Sequence, residues 1–138
     1  MLSTKFRRAL RAAFIAAAAS SAVVAATAAH ADIRNYEFQL VDTTVQPGPD
    51  RVITVKLIDK TTGKPVPDAV IFASRLDMAP DGMQEMATRI VAVPAAEPGT
   101  YKFKATFGMA GRWQLSLAAK VQGETGAVES KLVIAAQK

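Results

Sequence analysis

The 138-residue chain has no cysteine and one histidine, His30. Without thiols it can form no disulfide, zinc–thiolate site, iron–sulfur cluster or thiol redox centre. An exported domain of this kind must hold together by core packing alone. His30 falls inside an expected processing site, so the mature chain would carry no imidazole. That excludes Ser-His-Asp and Cys-His catalysis, His-based zinc hydrolysis and haem ligation through histidine. No Gly-rich phosphate loop is present. No convincing helical period follows Asp32, and the only long apolar run precedes it. We therefore expect a protein that is not an enzyme.

The apolar run is an address. Lys5, Arg7, Arg8 and Arg11 form a basic start, Ala12 to Ala29 carry no charge, and Ala29-His30-Ala31 ends the run with small residues at −3 and −1. This is the anatomy of a cleavable secretory signal peptide over residues 1–31, with cleavage before Asp32 and a periplasmic destination. An uncleaved anchor is the competing reading, but a mostly alanine run drives membrane insertion weakly. Cleavage after Ala29 would leave His30 at the N-terminus, where amine and imidazole chelate Cu(II).

Removing 31 of the 138 residues leaves 107, enough for one domain over 32–138 with one modest core. Four of the 17 Lys and Arg leave too, so 13 remain against all 12 Asp and Glu. The formal charge falls from +5 to +1. The basicity belongs to the leader, and we read no nucleic-acid binding and no stable membrane span after cleavage.

The mature part alternates apolar and polar residues with period two. Tyr36, Phe38 and Leu40 alternate with Glu37 and Gln39, and Ile53, Val55 and Leu57 with Thr54 and Lys56. Tyr101, Phe103, Ala105 and Phe107 alternate with Lys102, Lys104 and Thr106, and Trp113, Leu115 and Leu117 with Gln114 and Ser116. Such patterns suit strands with one buried and one wet face. Turn chemistry interrupts them at 47–50, 61–65, 80–82, 97–99, 108–111 and 122–126. About seven strands follow, over 35–42, 51–59, 67–76, 84–93, 100–107, 111–121 and 127–135. The fold class is all-β, an antiparallel β-sandwich. The expected core is Tyr36, Phe38, Ile53, Val55, Leu57, Phe72, Tyr101, Phe103, Phe107, Trp113, Leu115 and Leu117. Each fully buried side chain of this kind contributes about 1.5–3 kcal/mol.

One stretch has unusual composition. Met78, Met83 and Met86 fall within nine residues, and Met109 sits in the Gly108–Gly111 turn. In a sandwich, the connection after the third strand and the turn before the sixth can face each other at one end. Thioethers are soft, uncharged ligands that select Cu(I) and need no deprotonation. Methionine also fills irregular core gaps, so a structural role stands beside the metal reading. Asp77, Asp81 and Glu85 could add oxygen ligands. They do not follow the spacing of an EF-hand loop, and we expect solvated loop carboxylates. Lys102 and Lys104 read as solubilising charges on a wet sheet face.

The order of Gly63-Lys64-Pro65-Val66-Pro67-Asp68-Ala69-Val70, the methionine stretch, Gly99-Thr100-Tyr101 and Met109-Ala110-Gly111-Arg112-Trp113 resembles the YtkA-like family, grouped with FixH-type proteins. The likeness covers about residues 50–121. The resemblance implies an immunoglobulin-like sandwich outside the cytoplasm, similar to modules associated with copper handling, heavy-metal efflux and oxidase assembly. It points to Met78, Met83, Met86 and Met109. The chain departs from FixH in having no evident anchor after its signal segment.

The expectation is a small soluble periplasmic protein contacting Cu(I), or another soft metal, through these methionines. Heavy-metal efflux or oxidase-assembly proteins would be its partners. The alternative is a metal-free accessory module docking on a transporter or envelope complex through a sheet edge or end loop.

Overall fold

The structure, a computed structural model, describes residues 33–138. The expected signal peptide, its cleavage site and His30 lie outside the described residues. Among these, helical structure is limited to two three-residue 3-10 turns, Ile33–Asn35 and Ala79–Asp81. The strands are β1 (Tyr36–Leu40), β2 (Thr44–Val45), β3 (Gly48–Asp59), β4 (Lys64–Pro65) and β5 (Ala69–Met78). They continue with β6 (Met83–Thr88), β7 (Ile90–Val93), β8 (Thr100–Phe107), β9 (Gly111–Val121) and β10 (Val128–Ala136).

Alternating apolar residues give each long strand one dry face, and two sheets bury those faces against each other. One sheet runs β1-β3-β8-β7, with β4 also on β3, and the other runs β2-β10-β9-β5-β6. The ladders are antiparallel except β2–β10, where Thr44 and Val45 lie parallel to Ala135 and Ala136. This is the expected immunoglobulin-like antiparallel sandwich. Its core joins Phe38, Val55, Leu57, Phe103 and Phe107 of the first sheet to Leu76, Met78, Trp113, Leu115 and Ile134 of the second. Phe107 meets Trp113 edge-on at 5.4 Å between ring centroids, and Phe38 meets Tyr101 likewise at 6.4 Å. Such contacts add to area burial.

The structure corrects the strand reading in two places. The fourth expected strand, 84–93, is two strands. β6 pairs with β5 in one sheet, the chain steps across at Arg89, and β7 pairs with β8 in the other. The segment gives no single buried face: Met83 packs on the core from one sheet and Ile90 from the other. The third strand runs on to Met78, so that residue belongs to the ladder and not to the following loop.

Phe72 is the one outright error in the expected core. It is 57% exposed. The β5–β9 register shifts between Ile71 and Ala73, a β-bulge that turns Phe72 away from the core. Tyr36 and Tyr101 are only half-buried, with their rings on the core and their hydroxyls at its rim. Tyr101 Oη donates to the Val66 carbonyl at 2.9 Å and accepts from the Ala69 N–H at 3.2 Å.

Candidate functional site

The methionine-bearing end grows from a tight connection. β5 ends at Met78, Ala79-Pro80-Asp81 makes one 3-10 turn, and Gly82 reverses the chain at φ +73° into β6. The Gly82 N–H donates to the Ala79 carbonyl at 2.9 Å. A left-handed residue at this position favours glycine. The ladder then sets Met78 opposite Met83 and Asp77 opposite Ala87. Gln84, Glu85 and Met86 fall in the intervening bulge.

The bulge is tied down by charge. Arg75 Nε donates to Asp77 Oδ2 at 2.6 Å, and its Nη2 donates to the Gln84 carbonyl at 2.9 Å. The other oxygen of Asp77 accepts from the Ala79 N–H at 3.0 Å. Asp77 is 5% exposed. Such burial of a carboxylate requires partners of this kind. It is therefore no solvated loop carboxylate, a correction to the sequence reading, and both its oxygens are engaged.

A second clamp brings in the Gly108–Gly111 turn. Asp81 Oδ2 accepts from the Arg112 N–H and Oδ1 accepts from Arg112 Nε, both at 2.8 Å. Arg112 Nη2 donates to the Pro80 carbonyl, also at 2.8 Å. The backbone N–H and guanidinium of Arg112 hold the Asp81 carboxyl below its usual range. Asp81 is thus a structural acceptor, and not a solvated one. Glu85 alone of the three acids remains exposed without such a clamp.

Gly111 lies against this junction. A Cβ there would strike Met78 Cε and come within 2.8 Å of Asp81 Oδ2. Trp113 Nε1 donates to the Met109 carbonyl at 3.2 Å, so the buried indole fixes the turn's backbone.

The four methionines are placed unequally. Met78 is fully buried, and Met83 is half-buried against the core. Met86 and Met109 are each 42% exposed. The fold brings Met78 and Met83 together as a ladder pair and holds the Met109 turn over the same connection. Met86 sits further along, in the bulge. Among the described residues, no group of three or more His, Cys, Asp or Glu is placed to hold a metal ion. Thioether sulfur is therefore the soft donor this end offers.

Sequence reasoning missed Arg75, Gly111 and Arg112 as the residues that build the end. Arg112 and Asp81 are 31 positions apart, and no spacing rule links them. The Gly-x-x-Gly turn before Trp113 was the one available signal.

A second feature follows from the sheet switch. β6 covers β5 only from Leu76 to Met78, while β9 pairs with β5 from Ala69 to Asp77. The remaining edge of β5 faces a cleft of about 580 Å³, bounded across by Val93, Ala95, Ala96 and Pro98.

A family model described as YtkA-like matches residues 30–118. A search of the curated proteins finds no match. Among solved structures the chain is similar to the Lin-41 filamin domain, with TM-score 0.46 and 18% identity, covering 75% of this chain and 92% of that one. It is also similar to the ZirS C-terminal domain, with TM-score 0.45 and 15% identity, covering 78% and 68% respectively.

Proposed function

The chain belongs to the YtkA-like family, and on that footing we propose that it is an exported, non-enzymatic binding protein whose cargo is Cu(I). The ion is taken at the methionine-bearing end of the sandwich and passed to an efflux or assembly partner in the periplasm. The observation that carries this reading is the Asp81–Arg112 clamp, which sets the Met109 turn over the Met78–Met83 connection. The donor chemistry fits. Asp77 and Asp81 are occupied by hydrogen bonds, no cysteine is present and no histidine lies among the described residues. The available soft donors are thioethers, which prefer Cu(I) to Zn(II) or Mg(II).

Exposure divides the roles. The exposed Met109 and Met86 receive the ion first, the half-buried Met83 follows, and the fully buried Met78, its ladder partner, belongs to the core. Stepwise exchange between thioethers then releases the cargo without proton transfer, since no ligand titrates.

The test is anaerobic titration of Cu(I) in competition with a chromophoric chelator. The protein should withdraw the ion from the chelator, and the combined variant Met83→Leu, Met86→Leu and Met109→Leu should lose this ability while keeping its fold. A wild-type chain that cannot compete, or a triple variant that competes equally, rejects the reading.

A further inference from the structure

We propose that the open edge of β5 is a self-association surface, and that two copies of the chain pair antiparallel through residues 68–75. This surface is separate from the methionine end and does not depend on any metal.

The edge is unguarded. From Ala69 to Arg75, β5 is paired with β9 on one side and with no strand of the described chain on the other. The segment Ala69-Val70-Ile71-Phe72-Ala73-Ser74 carries no charge and no proline. Natural sheet edges are blunted by charge, proline or a covering element. Here β6 leaves before it can cover this stretch. Val70 and Phe72 on it are 66% and 57% exposed, the highest values among the exposed large hydrophobic residues described. They flank Lys120 in an apolar surface patch. A cleft lies beside this edge.

Charge and register choose the occupant. Asp68 precedes the uncharged run and Arg75 follows it. A second copy laid antiparallel sets the acidic end of each segment against the basic end of the other, twice. A parallel copy would stack like on like. The β9 ladder fixes which residues share a face. Val70, Ala73 and Arg75 lie opposite Lys120, Ala118 and Ser116 on the outer face. Ile71 and Ser74 lie opposite the buried Ala119 and Leu117 on the inner face. The bulge at Phe72 reverses the alternation between them. The antiparallel register that pairs Asp68 with Arg75 also pairs Val70 with Ala73, outer with outer, and Ala69 with Ser74, inner with inner, and only the bulge residue Phe72, opposite Ile71 at the centre, breaks the match. A shift by one residue would pair outer with inner faces. Among the described residues Arg75 spends two donors, on Asp77 and Gln84, and its side chain is 57% exposed. Its remaining N–H groups are free for a carboxylate. The result is an isologous pair in which the β5 sheets of two copies join as one.

The test uses the full sequence expressed for export and the processed chain purified from the envelope fraction. Light scattering should give twice the mass of the processed chain at high concentration and that mass after dilution. Val70→Lys should keep the chain monomeric over the same range, with unchanged circular dichroism. The chain has no native cysteine, so register can be read directly. A Val70→Cys chain mixed with an Ala73→Cys chain should cross-link as a heterodimer under mild oxidation, in preference to either homodimer. A single-chain mass at every concentration overturns the proposal. So does a dimer that survives Val70→Lys, or one whose cysteines cross-link without regard to position. A chain that stays monomeric yet binds a synthetic peptide copying residues 68–75 would show an edge built for a foreign strand, and would also overturn it.

Discussion

Asp81 accepts two hydrogen bonds from Arg112, one from its backbone N–H and one from its guanidinium, each at 2.8 Å. This pair ties the 3-10 turn after β5 to the first residues of β9. The carboxyl titrates below its ordinary value of 3.8 because Arg112 favours its charged form. A carboxyl depressed in the folded state contributes stability above its unfolded pKa and loses it as pH falls through the folded one. Asp81→Asn should therefore melt below the wild type at neutral pH. Thermal melts taken from about pH 6 down to about pH 2 should show the difference closing in acid. A constant difference would mean that the charge of Asp81 is irrelevant.

Gly111 permits the close approach that this junction needs. Its φ is +147°, and a Cβ would collide with Met78 Cε and press on Asp81 Oδ2. Gly111→Ala should cost about 1–3 kcal/mol, the range expected for a strained non-glycine conformation. Chemical denaturation measures it. Met78→Ala removes the struck atom, so the two substitutions should be less than additive when combined.

The sandwich was legible in the sequence because period-two alternation is a direct signature of a half-buried strand. Ile53-Val55-Leu57 and Trp113-Leu115-Leu117 lie buried on one face, as that pattern requires. Phe72 was misread because a bulge depends on the partner strand, and the flip between Ile71 and Ala73 leaves no mark in the composition of β5. The split of 84–93 was hidden for a related reason. Which sheet a strand joins is decided by the edges left open by other strands. At the methionine end, the proximity of the 78–83 connection and the 108–111 turn was foreseeable from topology. The fastening was not. Arg75 and Arg112 act on groups distant in sequence or on main-chain carbonyls, and neither has a spacing motif.

The bulge at Phe72 gives a sharp contrast in stability. Phe72→Ser removes a side chain already in water, so it should change unfolding free energy by no more than about 0.5 kcal/mol. Phe103 is 2% exposed in the core, and Phe103→Ala should cost about 3–5 kcal/mol. Urea denaturation at low protein concentration, where self-association does not contribute, separates the two. Equal costs would place Phe72 in the core after all.

Tyr101 locks the start of β5 to β8. Its hydroxyl donates to the Val66 carbonyl and accepts from the Ala69 N–H, while its ring packs edge-on against Phe38. Tyr101→Phe keeps the ring and strands both main-chain groups, so it should cost about 1–3 kcal/mol. Burial raises the Tyr101 pKa above its ordinary 10.0. The folded state thus holds this proton more tightly than the unfolded chain. The stability it contributes is complete below the unfolded pKa and is lost as pH rises through the folded one. Denaturation between about pH 9 and pH 11 should therefore show falling stability in the wild type and a shallower fall in Tyr101→Phe. The slope that remains belongs in part to Tyr36, whose pKa is raised by burial and by the neighbouring Glu124 carboxylate that its hydroxyl contacts. Removing Glu124 as well, by Glu124→Gln in the Tyr101→Phe background, should flatten the alkaline limb further. An unchanged limb in both variants would show that neither hydroxyl couples to folding.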